Sequence, residues 1–448
     1  MVKERTKLKA RFAPALVKPV VSAIVAVTLI TGSYIAPAIT PAASAAPNTS
    51  SSNAPAVSKD NPLGLAADAA ILIDADTGQI LYSYNVDKPL PPASMTKMMT
   101  EYMVLSAVKS GKLKWDQEIS VSKEAASTPK DGSQIYLAEG DTHTVKELYT
   151  AMSVASANDA TVALASFLGG SEAGFVTEMN AKAQELGLKT AQFTSATGLL
   201  DTTVIAAKDM AKLAMIILKE TPEFLDYSKI PSVKFRERDA KPMINNDWML
   251  EGNKGNTNFK QYVYDGVDGM KTGYLSAAGY CFTGTVKRGD TRLISVVYHT
   301  KTKGARFLET RKLYDWAFSN LERKTIVQPK TVVESAAEAT ITKGKEKTVS
   351  LVTESDFTLM VKKGAAVEPK IISTSIPKAG ELVAPVAQGQ KIGTVTYKYT
   401  DADTGTAVTK EINLIAAEGV EKAGWFKLML RGIGGFFSGL FKGIVDLF

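Results

Sequence analysis

The strongest constraint in this chain is a set of three short polar motifs that occur in one order. The motifs are Ser94-Met95-Thr96-Lys97, Ser156-Ala157-Asn158 and Lys271-Thr272-Gly273. A serine hydroxyl is a poor nucleophile at neutral pH, and it needs a positioned base such as a lysine amine. The same three patterns in this order are typical of acyl-transfer enzymes. They therefore predict a serine acyl-transfer enzyme whose base is a lysine.

Each motif is weak when it is taken alone, because the same patterns occur elsewhere in the chain. S-x-N also begins at Ser51 and Ser83, and further S-x-x-K copies begin at Ser106, Ser120, Ser127 and Ser375. Local context separates the copies. Only the copy at Ser94 follows a pair of prolines, Pro91-Pro92, and precedes a long apolar helical pattern. We therefore take Ser94 and Lys97 as the candidate nucleophile and base.

Scarce residue types exclude the main competing chemistries. The chain has two histidines, His143 and His299, and one cysteine, Cys281. Neither histidine stands in a motif that prepares it as the base of a Ser-His-Asp or Cys-His pair. Zinc is disfavoured because H-E-x-x-H and C-x-x-C are both missing from the sequence. We expect two structural histidines, a buried Cys281 and no metal or cofactor.

The basic charge of the chain is concentrated in a removable segment. Residues 1–45 carry six basic side chains and one acid, so their loss lowers the formal net charge from +7 to +2. The remaining charge is too small for binding to a polyanion, and we expect no nucleic-acid partner. A basic start, an apolar run and Ala43-Ser44-Ala45 together predict a signal peptide. The alternative is an uncleaved membrane anchor. A flexible linker rich in Ala, Pro and Ser is predicted at 46–63.

The pattern of apolar residues predicts an α+β catalytic domain over residues 64–324. Two strand pairs, 69–74 with 79–84 and 279–287 with 291–299, flank helical segments that include one continuous stretch over 144–168. Strands at both ends with helices between them indicate the α+β class. Short alternating runs then predict a small β-rich domain over 325–418, with a spacer or interaction role.

The last segment, 419–448, is predicted to be an amphipathic helix. Aromatic and aliphatic residues recur at helical spacing from Phe426 to Phe448, and Lys427, Arg431 and Lys442 lie on the polar face. This pattern is typical of a helix that lies in the plane of a membrane surface. The alternatives are a helix packed on the β-rich domain and a helix that pairs with a copy of itself.

The motifs suggest a division of roles. On a helix, Ser94 and Lys97 share one face, and burial or a nearby cation lowers the pKa of Lys97 enough for it to take the serine proton. Ser156 could relay that proton to a leaving amine, and Asn158 could bind a substrate amide, although either could instead be a helix cap. The third motif supplies positive charge from Lys271, a hydroxyl from Thr272, and close backbone access at Gly273.

The stretches 92–100, 156–160 and 268–274 resemble the low-molecular-mass penicillin-binding proteins that are serine-type D-Ala-D-Ala carboxypeptidases. The resemblance extends over nearly the whole chain and implies the penicillin-binding/β-lactamase-like fold for the catalytic domain. It implies that Ser94 is acylated, that Ser94 and Tyr274 offer backbone N–H groups to the oxyanion, and that Arg306 lies near the substrate carboxylate. Family members often have His where this chain has Tyr274, but a backbone role survives that change.

The implied substrate is a peptidoglycan stem peptide that ends in D-Ala-D-Ala, and β-lactam antibiotics are the implied inhibitors. Together with the signal peptide and the tail, this implies an exported enzyme of cell-wall synthesis and cell shape. It would lie peripherally on the outer face of the cytoplasmic membrane. Two other interpretations remain open. One is a β-lactamase, and the other is a wall-binding or sensory module with an inactive site.

Overall fold

The computed structural model describes residues 60–401, 405, 407–431 and 433. The predicted signal peptide and all but four residues of the predicted linker lie outside these residues. The strands of the first, larger domain are β1 Ala69–Asp74, β2 Ile80–Tyr84, β3 Pro89–Leu90, β4 Glu118–Ser120, β5 Thr142–Thr144, β6 Ile205–Ala206, β7 Ser232–Val233, β8 Met243–Ile244, β9 Val267–Leu275, β10 Gly279–Arg288 and β11 Thr291–Thr300.

Five of these strands form the central antiparallel sheet, in the order β2-β1-β11-β10-β9. Strands from both ends of the domain therefore meet in one sheet, and both predicted strand pairs are confirmed. Every residue of β1 is buried, because helices cover both faces of the sheet. Strand β9 lies at the edge, so one side of its backbone has no partner strand within the described sheet.

The helices of this domain are α1 Lys97–Lys109, α2 Lys123–Ala126, α3 Val145–Val154, α4 Asn158–Gly169, α5 Glu172–Glu185, α6 Ala207–Glu220, α7 Phe224–Ser228 and α8 Ala305–Asn320. Ile71 and Ile73 of β1 face the core that α1, α3, α4 and α6 build. Ala70 and Leu72 face the opposite core, to which Phe307 and Leu313 of α8 contribute. This layered arrangement is the predicted α+β class.

The prediction of one continuous helix over 144–168 is wrong, because the structure has two helices there, α3 and α4. Ser156 stands in the break with a φ of +58°, and Ala157 is extended before α4 begins. The backbone N–H of Asn158 donates to the carbonyl of Ser133 over 2.7 Å instead of continuing a helical ladder. A loop contact therefore replaces the helical bond, and Ser156 lies in a tight turn between two helices.

The second, smaller domain is β-rich, as predicted. Its strands are β12 Leu321–Val327, β13 Glu338–Thr340, β14 Thr348–Thr353, β15 Phe357–Lys362, β16 Lys370–Ser375, β17 Lys391–Thr400 and β18 Ala407–Ala416. They form a pair β12-β15 and a sheet in the order β13-β14-β18-β17-β16. Leu351, Phe357 and Leu414 belong to its separate core. The predicted boundary at 324–325 lies inside β12.

Two buried side chains of the β1–β2 turn hold the domains together. Gln79 donates to the carbonyl of Met360 over 2.7 Å and accepts from the N–H of the same residue over 2.9 Å. Asp74 is fully buried and pairs with Arg323 of β12 at 2.7 Å. The turn between β1 and β2 therefore contacts both strands of the β12-β15 pair.

The described part of the C-terminal segment is helical from residue 425 to residue 431. Its basic side chains reach back to the β-rich domain: Lys427 donates to the carbonyl of Lys345 over 2.9 Å, and Arg431 donates to that of Gly344 over 2.8 Å. Trp425 and Phe426 are exposed. Among the described helices, none is long and apolar enough to cross a membrane.

Candidate active site

Ser94 lies on a short 3-10 helix, Ala93–Thr96, that leads directly into α1. The proline pair before it brings the chain into a tight turn, in which Ala93 takes a φ of +50°. Lys97 is the first residue of α1, and its Nζ lies 3.1 Å from Ser94 Oγ. The predicted pairing of the two residues on one face is therefore present, with the amine within hydrogen-bond distance of the hydroxyl.

The amine of Lys97 is completely buried and has three polar neighbours. Besides Ser94, Nζ lies 2.6 Å from Asn158 Oδ1 and 2.8 Å from the carbonyl of Thr197. A neutral amine has two N–H donors and one lone pair. The Oδ1 of Asn158 and the carbonyl oxygen of Thr197 can only accept, so they take the two N–H groups and leave the lone pair facing Ser94.

Burial lowers the pKa of Lys97 well below its ordinary value, and the positive charge of Lys271 lowers it further. Desolvation disfavours the ammonium form, and a like charge nearby acts in the same direction. Glu101, Glu172 and Asp159 oppose the change. The site thus favours the neutral amine, which is the form able to accept a proton from Ser94.

The second motif places Ser156 and Asn158 beside this pair by means of the break between α3 and α4. Both side chains line the same cavity as Ser94, and both residues are buried. Ser156 Oγ is buried and has no hydrogen-bond partner among the described residues, so the hydrogen-bonding capacity of its hydroxyl is not used by them. The expected role of Asn158 is to bind a substrate amide. In the structure, its Oδ1 accepts a hydrogen bond from Lys97.

The third motif lies on the edge strand β9. Thr272, Gly273 and Tyr274 line the cavity, whereas Lys271 is buried. Gly273 is required by packing: a Cβ atom there would lie 2.4 Å from the carbonyl oxygen of Pro92. The absence of a side chain therefore allows β9 to lie against the turn that presents Ser94. Tyr274 stacks on Tyr280, with ring centroids 4.3 Å apart.

Arg306 is buried near the start of α8 and forms a hydrogen bond with the backbone of β9. Its guanidinium donates to the carbonyls of Gly273 over 3.1 Å and Cys281 over 3.4 Å, and to that of Asn246 over 3.4 Å. Burial lowers its pKa to about 10, which leaves it charged at neutral pH. Arg306 therefore fixes the strand that carries the third motif and adds positive charge to the cavity that it lines.

These residues surround an open cavity of about 520 Å³. Of the nine predicted site residues, seven line it, and the other two, Lys97 and Lys271, are buried beside it. The lining also includes residues that the motifs did not indicate: Asp131, Gly132, Ser133, Leu199, Asn246, Leu275, Ser276, Tyr280 and Lys303. A cavity of this size and polarity suits the end of a peptide.

Three polar residues near the site escaped the sequence analysis. Glu101 is fully buried one turn after Lys97, and its presence within an apolar helical pattern was the signal that could have revealed it. Asp247 is buried near Arg306 and Lys271, and burial raises its pKa to about 7. Lys303 donates to Asn246 Oδ1 over 3.0 Å. Nothing local in the sequence points to the last two.

The histidines and the cysteine do not line the cavity. His143 and His299 are not among its lining residues; they face Glu147 at 3.9 Å and Asp68 at 3.2 Å. Cys281 is buried, and burial raises the pKa of its thiol to about 12. Within the described ranges, no group of His, Cys, Asp and Glu is arranged to hold a metal ion.

Two models of known protein families match most of this chain. A family model described as D-alanyl-D-alanine carboxypeptidase matches residues 55–302, and one described as the C-terminal domain of penicillin-binding protein 5 matches residues 321–422. D-alanyl-D-alanine carboxypeptidase DacF of Bacillus subtilis is 36% identical over 375 residues, which cover 82% of this chain and 89% of that protein.

Two solved structures extend the comparison. A peptidoglycan synthesis regulatory factor (PBP3) from Streptococcus pneumoniae matches with a TM-score of 0.67 and 30% identity, over 80% of this chain and 100% of that chain. Penicillin-binding protein D2 from Listeria monocytogenes, in the cefotaxime-bound form, matches with a TM-score of 0.50 and 34% identity, over 57% of this chain and 98% of that chain. The expected fold and family are thereby confirmed: the chain belongs to the D-alanyl-D-alanine carboxypeptidases of peptidase family S11, which are serine-type enzymes.

Proposed function

We propose that this enzyme is exported and removes the terminal D-alanine from peptidoglycan stem peptides through an acyl-enzyme formed at Ser94. The observation that carries the proposal is the contact of 3.1 Å between the buried amine of Lys97 and the Ser94 hydroxyl. That hydroxyl lies at the wall of an open cavity. A neutral amine beside a serine that faces a peptide-sized space is the arrangement needed for acyl transfer.

In the proposed acylation step, Ser94 Oγ attacks the carbonyl carbon between the two D-alanines and Lys97 Nζ takes the hydroxyl proton. The negative charge that develops on the carbonyl oxygen is stabilised by the backbone N–H groups of Ser94 and Tyr274. As the bond between the carbonyl carbon and the nitrogen of the leaving D-alanine breaks, Ser156 relays the proton from the Lys97 ammonium to that nitrogen and keeps its own hydroxyl. Its buried hydroxyl, which has no partner among the described residues, supports this role.

Four residues are proposed to hold the substrate. Lys271 and Arg306 supply positive charge for the terminal carboxylate, and Thr272 offers a hydroxyl at the cavity wall. The Oδ1 of Asn158 accepts a hydrogen bond from Lys97, and its NH2 group is proposed to bind the substrate. Asn158 would therefore connect the substrate with the base. Water then releases the shortened peptide from Ser94, which restores the free enzyme.

β-Lactam antibiotics are proposed to acylate the same serine. The structural relative from Listeria monocytogenes is described as bound to cefotaxime, and it covers 57% of this chain. A β-lactam carries a strained amide and a carboxylate, so it fits the proposed roles of Ser94 and Lys271. The bound antibiotic is expected to leave slowly, which would distinguish this enzyme from a β-lactamase.

Export and membrane association are proposed from the two ends of the chain. The family is one of exported cell-wall enzymes, in agreement with the predicted signal peptide at residues 1–45. In the described part of the tail, Trp425, Phe426 and Leu430 are more than half exposed. Exposed aromatic and aliphatic side chains on a terminal helix suit insertion into the surface layer of a membrane.

The test uses the protein without residues 1–45 beside its Ser94→Ala variant. We expect D-alanine release from a peptide ending in D-Ala-D-Ala and a lasting fluorescent-penicillin label on the wild-type protein, with neither in the variant. Peptide mapping should place the label on Ser94. Absence of D-alanine release by the wild type, undiminished release by the variant, or rapid turnover of the label would contradict the proposal.

A further inference from the structure

Lys303 is a half-buried lysine at the wall of the cavity that Ser94 lines. It lies two residues before the first residue of α8. Its Nζ donates to Oδ1 of Asn246 over 3.0 Å and lies 5.0 Å from the ring centroid of Trp248. The face of an indole ring attracts an ammonium group at this distance. Two contacts therefore fix an amine that would have many rotamers on an open surface.

The ring beneath Lys303 belongs to a packed aromatic cluster. Trp248 stacks on Phe259 with ring centroids 4.9 Å apart, and it packs on Tyr262 at 5.1 Å. Gly304 brings the backbone beside Lys303 close to the same cluster, because a Cβ atom at this position would lie 2.4 Å from the hydroxyl oxygen of Tyr262. The support of the Lys303 side chain is therefore part of the folded domain.

Lys303 has no counter-ion in the protein. In the part of the chain that the structure describes, it forms no ion pair, and its one hydrogen bond is that to Asn246. Burial, and then the positive charge of Arg306, lower the pKa of Lys303. A partly buried cation without a counter-ion is costly, and an anion bound in the cavity would offset both effects.

The buried guanidinium of Arg306 uses most of its donors on the backbone. Its Nη1 donates to the carbonyls of Gly273 over 3.1 Å and Cys281 over 3.4 Å, and its Nη2 donates to that of Asn246 over 3.4 Å. Its Nε is buried and has no partner among the described residues. A guanidinium has five N–H groups. Arg306 therefore offers at most one of them, on Nη2, to a molecule in the cavity.

The donors of the two lysines at this end of the cavity differ in access. Lys271 is buried and does not line the cavity, and its Nζ donates to the carbonyl of Thr272 over 3.5 Å. An ammonium group has three N–H donors, and Lys303 uses one of them on Asn246. Lys303 therefore keeps two donors for a ligand at the cavity wall.

We propose that Lys303 binds the terminal carboxylate of the substrate directly and thereby selects peptides whose last residue carries a free carboxylate. The inference rests on the proposed function, in which the cavity receives a D-Ala-D-Ala end. Asn246 places Lys303 beside Arg306, because its side-chain oxygen accepts from Lys303 and its backbone carbonyl accepts from Arg306. Lys303 donates to the carboxylate, and Arg306 and Lys271 add positive charge from buried positions.

The test compares the wild type with Lys303→Met, first by the KM and kcat for a peptide that ends in D-Ala-D-Ala. The KM should rise about 10-fold, as expected when a hydrogen bond to a charged group is lost. The kcat should change by less than about 3-fold, because the carboxylate is bound alike before and during the reaction. An unchanged KM in a folded variant would overturn the inference.

The same peptide with a C-terminal carboxamide isolates the contribution of the carboxylate. It is measured as an inhibitor of fluorescent-penicillin labelling in the two proteins. Its inhibition constant should be the same in both, because a neutral end gives the Lys303 ammonium no anion to bind. Weakening of the carboxamide by the same factor as the free acid would show that Lys303 shapes the cavity and does not recognise the carboxylate.

Two further variants separate a direct contact from a general effect of charge. Lys303→Arg keeps the positive charge, and its KM should lie closer to that of the wild type than to that of Lys303→Met. Lys301→Met is the matched control, because Lys301 is exposed and does not line the cavity. Its KM should equal that of the wild type. An equal rise of KM in Lys301→Met and Lys303→Met would contradict the proposal.

A measurement without substitution of Lys303 covers the case in which its variants do not fold. In Ser94→Ala protein with nitrogen-15-labelled lysines, the amine signal of Lys303 should shift when the free-acid peptide binds and stay in place with the carboxamide. A signal that ignores the bound free acid would overturn the inference. A wild type that releases no D-alanine would instead contradict the proposed function, so the two failures are distinguishable.

Discussion

The Nζ atom of Lys97 lies 2.6 Å from Oδ1 of Asn158, and this contact joins the first residue of α1 to the first residue of α4. Two of the three motifs thus meet through one buried hydrogen bond. It occupies a donor of the lysine and orients the amine towards Ser94. The contact gives Asn158 a part in preparing the base, in addition to its proposed part in holding the substrate.

Asn158→Ala should slow acylation by penicillin because Lys97 loses one of its two acceptors. A hydrogen bond between two neutral groups contributes ~0.5–1.5 kcal/mol, so we expect a fall of roughly 2- to 13-fold in the acylation rate. Asn158→Asp is a second, more informative variant. Its carboxylate would raise the pKa of Lys97 and move the acid limb of the pH profile of acylation to higher pH. Equal acid limbs in Asn158→Asp and the wild type would show that the contact has no influence on the base.

Gly273→Ala should disturb the site, since the added Cβ would lie 2.4 Å from the carbonyl oxygen of Pro92. Forcing β9 away from the turn before Ser94 should lower the free energy of unfolding by ~1–3 kcal/mol and strongly reduce penicillin labelling. Gly255→Ala is the matched control, because nothing lies within 4 Å of its added Cβ. Thermal unfolding and labelling rates check both variants, and normal labelling of Gly273→Ala would refute the packing argument.

Lys97→Met should change how stability depends on pH. Folding lowers the pKa of Lys97 below its ordinary value of 10.5. At a pH between the pKa in the native protein and 10.5, Lys97 therefore carries a proton in the unfolded chain but not in the native protein. The wild type therefore loses stability through this group as the pH falls below 10.5, by at most about 1.4 kcal/mol per unit.

The Lys97→Met variant lacks this loss. Its free energy of unfolding should therefore increase relative to that of the wild type as the pH falls from 10 to 8. Urea unfolding at three pH values measures the difference. Acylation should be abolished in the same variant. A stability difference that stays constant over this pH range would mean that Lys97 keeps its proton in the native protein.

Arg323→Ala should destabilise the protein without touching the cavity. The carboxylate of Asp74 is fully buried, and Arg323 pairs with it at 2.7 Å. Removing one partner of a buried pair leaves an uncompensated charge and costs ~3 kcal/mol or more. Asp74→Asn in the same background should recover part of this loss. We expect an unchanged penicillin acylation rate at a temperature where the variant is folded; loss of labelling there would indicate coupling between the domains.

Ending the chain at Gly424 should release the protein from membranes into the soluble fraction. The truncation removes Trp425, Phe426 and Leu430, whose side chains are exposed on the described part of the tail. The control is the full-length chain with the substitutions Trp425→Ser, Phe426→Ser and Leu430→Ser. It keeps the basic side chains of Lys427 and Arg431, so it separates the effect of the apolar side chains from that of the positive charge. Membrane flotation measures the distribution, and a truncated protein that still floats with the membranes would contradict the anchor.

Several parts of the molecule were predictable because their signals are local. The spacing of Ser94 and Lys97 places them on one face of a helical turn, and the apolar runs around β1 and β10 predict their strand pairs. The break at Ser156 was not predictable from helical periodicity. Small and apolar residues continue through it, and what ends the helix is the contact between Asn158 and Ser133, which lie far apart in the chain.

The sequence by itself determined the motifs, the fold class and the family, since these depend on residue types and on short-range periodicity. Only the tertiary structure decided which groups surround the reactive amine. Lys97 becomes a suitable base through Asn158, Thr197 and Lys271, which all come from distant segments. The burial of this amine and the charges around it depend on how the helices pack against the sheet. No local sequence pattern predicts that packing.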